Sequence, residues 1–110
     1  MRLDHYKRTL TATPPRIAYE RSNIESSQLR VENTAAWKGK PALVVCADHD
    51  PDHTRESDGP IADWLKEIGA DAEFCWLPDH GIAGNGHMMM LERNNADIAA
   101  LIADWIESKL

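Results

Sequence analysis

The chain has 110 residues, 43% of them hydrophobic and 27% charged, and carries a net charge of −6. That length allows one domain at most, and so ordinary a composition excludes wholesale disorder. The acidic balance argues against nonspecific binding of nucleic acid or anionic membrane, which needs clustered Lys and Arg; Arg2, Lys7 and Arg8 make only a weak basic patch.

No stretch approaches the roughly 18–20 apolar residues of a membrane span. The amino terminus lacks the apolar core of a signal peptide, so a cytoplasmic location is expected. Cys46 and Cys75 lie in apolar runs without CxxC spacing, and both are expected to be reduced, structural thiols.

In chain order, Asp4 is placed to cap a short helix reaching about Leu10, and Thr13-Pro14-Pro15 breaks it. Arg16 to Leu29 then reads as helical with a poor apolar stripe. Lys38-Gly39-Lys40-Pro41 is a turn delivering the chain into residues 42–47, Ala-Leu-Val-Val-Cys-Ala. A continuous apolar run of that length is the pattern of a strand buried on both faces.

Ser57 or Asp58 is expected to cap the next helix, with Pro60 in its first turn and Gly69 as its stop. Ile61, Trp64, Leu65 and Ile68 recur at i, i+3, i+4 and i+7, giving one face to pack on a sheet. Ala72 to Leu77 is a second strand, ended by Pro78. Two buried strands joined by a helix predict a right-handed parallel βαβ unit. A last helix begins near Asn94 or Asn95, with Asp97 in its first turn and Ile98, Leu101, Ile102 and Trp105 as its buried stripe.

The expected fold is therefore α/β: a βαβα unit with two parallel strands over residues 41–110, preceded by a partly helical extension over residues 1–40. Trp37, Trp64, Trp76 and Trp105 are expected mainly as core anchors, and Met88-Met89-Met90 with Leu91 as a turn packed under the preceding loop. Glu56, Asp58 and Asp63 read as a solvated face.

In open parallel sheets functional groups gather in the loops beyond the carboxyl ends of the strands. Asp48 and Asp50 follow the first strand, and His87 ends the Gly-rich loop after the second. Both loops then lie on one edge of the sheet. That is the placement an Asp–His pair needs, the carboxylate taking the Nδ1 proton and fixing the tautomer. Asp48, His49, Asp50, Asp52 and His53 also form a cluster with metal-ligating side chains, but Pro51 stiffens its middle and no metal or other cofactor is expected.

Ala47-Asp48-His49-Asp50 after one strand and Gly81-Ile82-Ala83-Gly84-Asn85-Gly86-His87-Met88 after the next, with a terminal helix behind them, resemble the carboxyl-terminal segment of esterase- or lipase-like α/β-hydrolases. The likeness covers about residues 41–110. It implies Asp50 as the orienting acid and His87 as the general base of a Ser-His-Asp triad, with Asp48 a structural loop residue. The substrate class it implies is a small carboxylic ester.

The chain departs from that family in one respect. It holds no Gly-x-Ser-x-Gly nucleophile elbow: Ser22, Ser26, Ser27, Ser57 and Ser108 all lack the flanking glycines. The resemblance thus implies a fragment inactive by itself. A two-stranded sheet also leaves an exposed edge, to be covered by the amino-terminal segment, by a second copy or by an upstream polypeptide carrying the missing strands. The alternative readings are a small metal- or ligand-binding α/β module and a non-catalytic domain that associates with itself through that edge.

Overall fold

A computed structural model describes residues 12, 14–22 and 31–110. The chain divides into two compact units, Met1–Thr34 and Ala35–Leu110. In the first, helix α1 spans Pro15–Ser22. Proline at its first position suits a helix start, where the missing N–H is no loss. The expected helix from Asp4 to Leu10 lies outside the described residues, as does the stretch from residue 23 to Leu29.

The second unit contains strand β1 (Pro41–Cys46), helix α2 (Arg55–Glu67), strand β2 (Asp71–Trp76) and helix α3 (Asn95–Ser108). The strands pair in parallel with Pro41 opposite Asp71 and Cys46 opposite Trp76. Among the described residues the sheet has these two strands. Each begins one residue earlier than the apolar runs suggested, and Leu77 opens a single 3-10 turn, Leu77–His80, instead of closing β2.

The uninterrupted apolar run of β1 has the predicted cause. Leu43 and Val45 pack with Ala47, Cys75, Leu77 and Ile98 in one cluster, joined by Leu101 and Ile102 of α3. Ala42 and Val44 pack in a second cluster with Leu65, Ala70 and Ala72. Alternate side chains thus face opposite layers, and both faces of the short sheet are covered.

Helix α2 starts earlier than expected. Thr54 is its N-cap: its hydroxyl accepts from the Ser57 backbone N–H at 3.2 Å, and the Ser57 hydroxyl accepts from the Thr54 N–H at 2.8 Å. Ser57 is the third residue of a capping box, not the cap, and Pro60 falls in the second turn. Gly69 does stop the helix. Its φ of +91° is left-handed backbone, its N–H donates to Lys66 O, and the Ala70 N–H donates to Leu65 O, the two bonds of a Schellman ending.

The apolar stripe of α2 is only partly used. Ala62 and Leu65 are buried, whereas Ile61 and Trp64 remain exposed, as does Trp37. These tryptophans are not core anchors, because two strands offer too little sheet to cover them. In the methionine run only Met89 packs against the core; Met88 and Met90 are exposed. Cys46 and Cys75 are free and buried. Burial pushes both thiols above their ordinary pKa, so neither is a ready thiolate.

Candidate functional site

The loops after β1 and β2 are laced together at their backbones. The His49 N–H donates to Asn85 O at 2.8 Å. Asp48 takes the structural role expected of it: its carboxylate accepts from the Gly84 N–H at 2.8 and 3.0 Å and from the Asn85 N–H at 3.2 Å. These bonds, the Gly84 one first, hold its carboxyl below the usual carboxylate range. Gly84 sits at φ +83°, a left-handed conformation that glycine adopts without the Cβ penalty.

Asn85 is the buried pivot of the second loop, with no exposed surface. Its side-chain amide donates to Glu92 Oε2 at 3.1 Å and to Asn94 Oδ1 at 2.7 Å, and its Oδ1 accepts from Asn94 Nδ2 at 2.9 Å. Glu92 Oε1 accepts from the Gly86 N–H at 2.8 Å. Every polar atom of this buried amide is therefore engaged. His87 follows at once, on a loop tied to β1 by Asp48 and to the start of α3 by Asn94.

Asp50 and His87 are brought together. His87 Nδ1 lies 2.9 Å from Asp50 Oδ2; the acid side chain is 4% exposed and the histidine 59%. The other oxygen, Asp50 Oδ1, accepts from the backbone N–H groups of Asp52 at 3.0 Å and His53 at 3.2 Å. Burial alone would raise this carboxyl, but the hydrogen bonds from His87, Asp52 and His53 outweigh it and leave it below its ordinary value. An ionised carboxylate only accepts, so His87 carries a proton on Nδ1, and in the neutral tautomer this fixes, the lone pair is at Nε2.

The rest of the acidic loop does not gather on one point. His49 is exposed and 3.7 Å from its neighbour Asp48. His53 instead meets Asp58 at the start of α2, Nδ1 to Oδ2 at 3.1 Å, and its ring stacks on that of His87 with centroids 5.1 Å apart. Among the described residues no three His, Cys, Asp or Glu side chains are placed to hold a metal ion. Asp58, read from sequence as part of a solvated face, thus belongs to the site's surroundings.

The sequence reading also missed Asn85, Glu92 and Asn94 as the frame of the His87 loop. Asn85 lies inside the glycine-rich segment, where its type suggests a turn, and only its burial shows otherwise. A groove of about 700 Å³ lies elsewhere, lined by Leu43, Phe74, Ile82, Leu101 and Trp105 among others; neither Asp50 nor His87 reaches it.

The chain is 43% identical over 72 residues to the probable secreted lipase phiG of Fungal sp. (strain ATCC 74256). Those residues make up 63% of this chain and 18% of the lipase, so the chain spans less than a fifth of that relative's length. No protein-family profile matches the chain, and no solved structure matches it. Over the shared stretch its relationship is lipase-like, and its fold is a small α/β arrangement with two parallel strands.

Proposed function

We propose that Ala35–Leu110 is the acid–histidine portion of an α/β-hydrolase-type esterase or lipase, with Asp50 orienting His87 as the general base. The observation that carries this reading is the 2.9 Å bond from His87 Nδ1 to the buried Asp50 carboxylate. In the neutral ring it leaves Nε2 without a proton, as needed to take a proton from an attacking hydroxyl and return it to the leaving group. The 43% identity to a named lipase over 72 residues supports it.

The nucleophile and the oxyanion donors come, in this reading, from polypeptide carrying the strands that flank β1. The two sheet edges differ in chemistry. β2 bears Asp71 and Glu73, both bound by Lys109, and edge charges of this kind discourage further pairing. β1 carries no charged residue between Pro41 and Cys46. The sheet is thus suited to grow on the β1 side.

The test is a chimera in which this chain replaces the matched stretch of the fungal lipase, assayed on an activated short-chain ester. The chimera hydrolyses the ester, and His87→Ala lowers the rate by about 10²–10⁴-fold, the usual contribution of a positioned acid–base group. The 110-residue chain by itself hydrolyses no faster than an equal concentration of imidazole. A folded chimera whose activity survives His87→Ala overturns the assignment.

A further inference from the structure

Beside the Asp50–His87 pair stands a second carboxylate–imidazole pair. His53 Nδ1 is 3.1 and 3.4 Å from the two oxygens of Asp58. The His53 and His87 rings stack with centroids 5.1 Å apart and planes inclined by 24°. We propose that His53 is a positioning residue for His87, holding its ring against Asp50 by stacking. The consequence for catalysis rests on the reading of His87 as a general base; the positioning itself does not.

His53 is half exposed, yet it is fixed at three points. Its backbone N–H donates to Asp50 Oδ1 at 3.2 Å, its carbonyl accepts from the Cys46 thiol at 3.0 Å, and its ring is held by Asp58. Asp58 is itself anchored, accepting from the Ser57 hydroxyl at 3.0 Å. The carboxylate that orients His87 through one oxygen therefore fixes the His53 backbone through the other. A loop histidine meeting a neighbour by chance would not be pinned at backbone and ring together. Its face closes one side of the His87 ring and opposes rotation away from Asp50.

The charged surroundings are divided evenly. His87 faces Asp50, and His53 faces Asp58; the Cys46 thiol beside them is kept protonated by burial. His49 pairs with Asp48. Each imidazole thus has one carboxylate of its own, and the rings meet each other through their stacked faces.

Imidazole nitrogen and carbon-bound proton resonances of the full chain, read by NMR with the imidazoles neutral, test this. In the wild type His87 reports the Nδ1–H tautomer. His53→Phe keeps a ring to stack, so His87 keeps that tautomer. His53→Ala also removes the stacking face, and the Nδ1–H tautomer of His87 gives way to a mixture. Asp58→Ala, which removes the carboxylate that holds the His53 ring without altering the histidine, moves His87 toward the same mixture; it decides the matter if the His53 variants do not fold by circular dichroism.

A His87 tautomer unchanged in His53→Ala overturns the positioning role. No readout involves ester hydrolysis: a chimera whose activity survives His87→Ala would remove the general-base reading, and a His87 tautomer disturbed by His53→Ala would leave this one standing.

Discussion

Asn85 and Asn94 exchange two side-chain amide hydrogen bonds, at 2.7 and 2.9 Å, across the space between the His87 loop and α3. This exchange explains why α3 has no side-chain N-cap bond although Asn94 occupies the capping position: its amide is committed to the loop. Asn85→Ala would strand Asn94 Oδ1 and Glu92 Oε2 without their donor in a part-buried setting. A loss of about 2–4 kcal/mol is expected for such a buried network. The urea midpoint of the isolated chain measures it, and a change below about 0.5 kcal/mol would show that the network does not hold the loop.

Acid should loosen the same loops. Asp48 and Asp50 both have carboxyls below their ordinary pKa, Asp48 chiefly through the Gly84 N–H, Asp50 through hydrogen bonds that overcome its burial. A depressed folded-state value means that the unfolded chain binds protons first, so the stabilisation is present above the usual Asp range and is lost as pH falls through the folded value. Stability is expected to fall below about pH 4. In Asp48→Asn the urea midpoint should drop less between about pH 5 and 3 than in the wild type; an equal drop would remove Asp48 from the account.

Leu77 has no exposed surface and joins Ala47, Cys75 and Ile98 beneath the site loops. It is not the last residue of β2, as the apolar run suggested, but the first of the 3-10 turn leading to the His87 loop. Leu77→Ala should cost about 2–5 kcal/mol, the range for emptying a buried leucine site. Because the cavity would open under the turn, amide exchange at Gly81 and Ile82, whose N–H groups donate to Pro78 O and Leu77 O, should quicken ahead of exchange in β1.

The parts of this fold legible in the sequence are those governed by periodicity. The apolar run of β1, the i, i+3, i+4 spacing of α2 and the glycine at its end each act within a few residues, and both elements are present. Which apolar residues are buried was less legible. Ile61 and Trp64 share a stripe with Leu65, but burial depends on how much sheet lies opposite, which the helix sequence does not encode.

The site divides in the same way. Strand topology alone put Asp50 and His87 on one edge, and the structure places them within hydrogen-bond distance. The Asp58–His53 pair and the Asn85–Asn94–Glu92 frame depend on side-chain direction across a helix cap and a loop. Neither has a spacing that marks it in advance.

The Asp50 carboxylate makes its own substitution informative. Its Oδ1 accepts two backbone N–H groups, those of Asp52 and His53, while Oδ2 faces His87. In Asp50→Asn the amide oxygen must stay with the two backbone donors, since an NH₂ group placed there would meet them donor to donor. The NH₂ group is then turned toward His87, and its Nδ1 has to become an acceptor. The proton moves to Nε2, the nitrogen that the general-base reading needs bare. Imidazole ¹⁵N shifts of the isolated chain should report this reversal of tautomer with little change in stability. In the lipase chimera the same substitution should lower ester hydrolysis by on the order of 10³–10⁴-fold. A chimera that keeps its rate while the tautomer reverses would show that His87 Nε2 does not accept the proton.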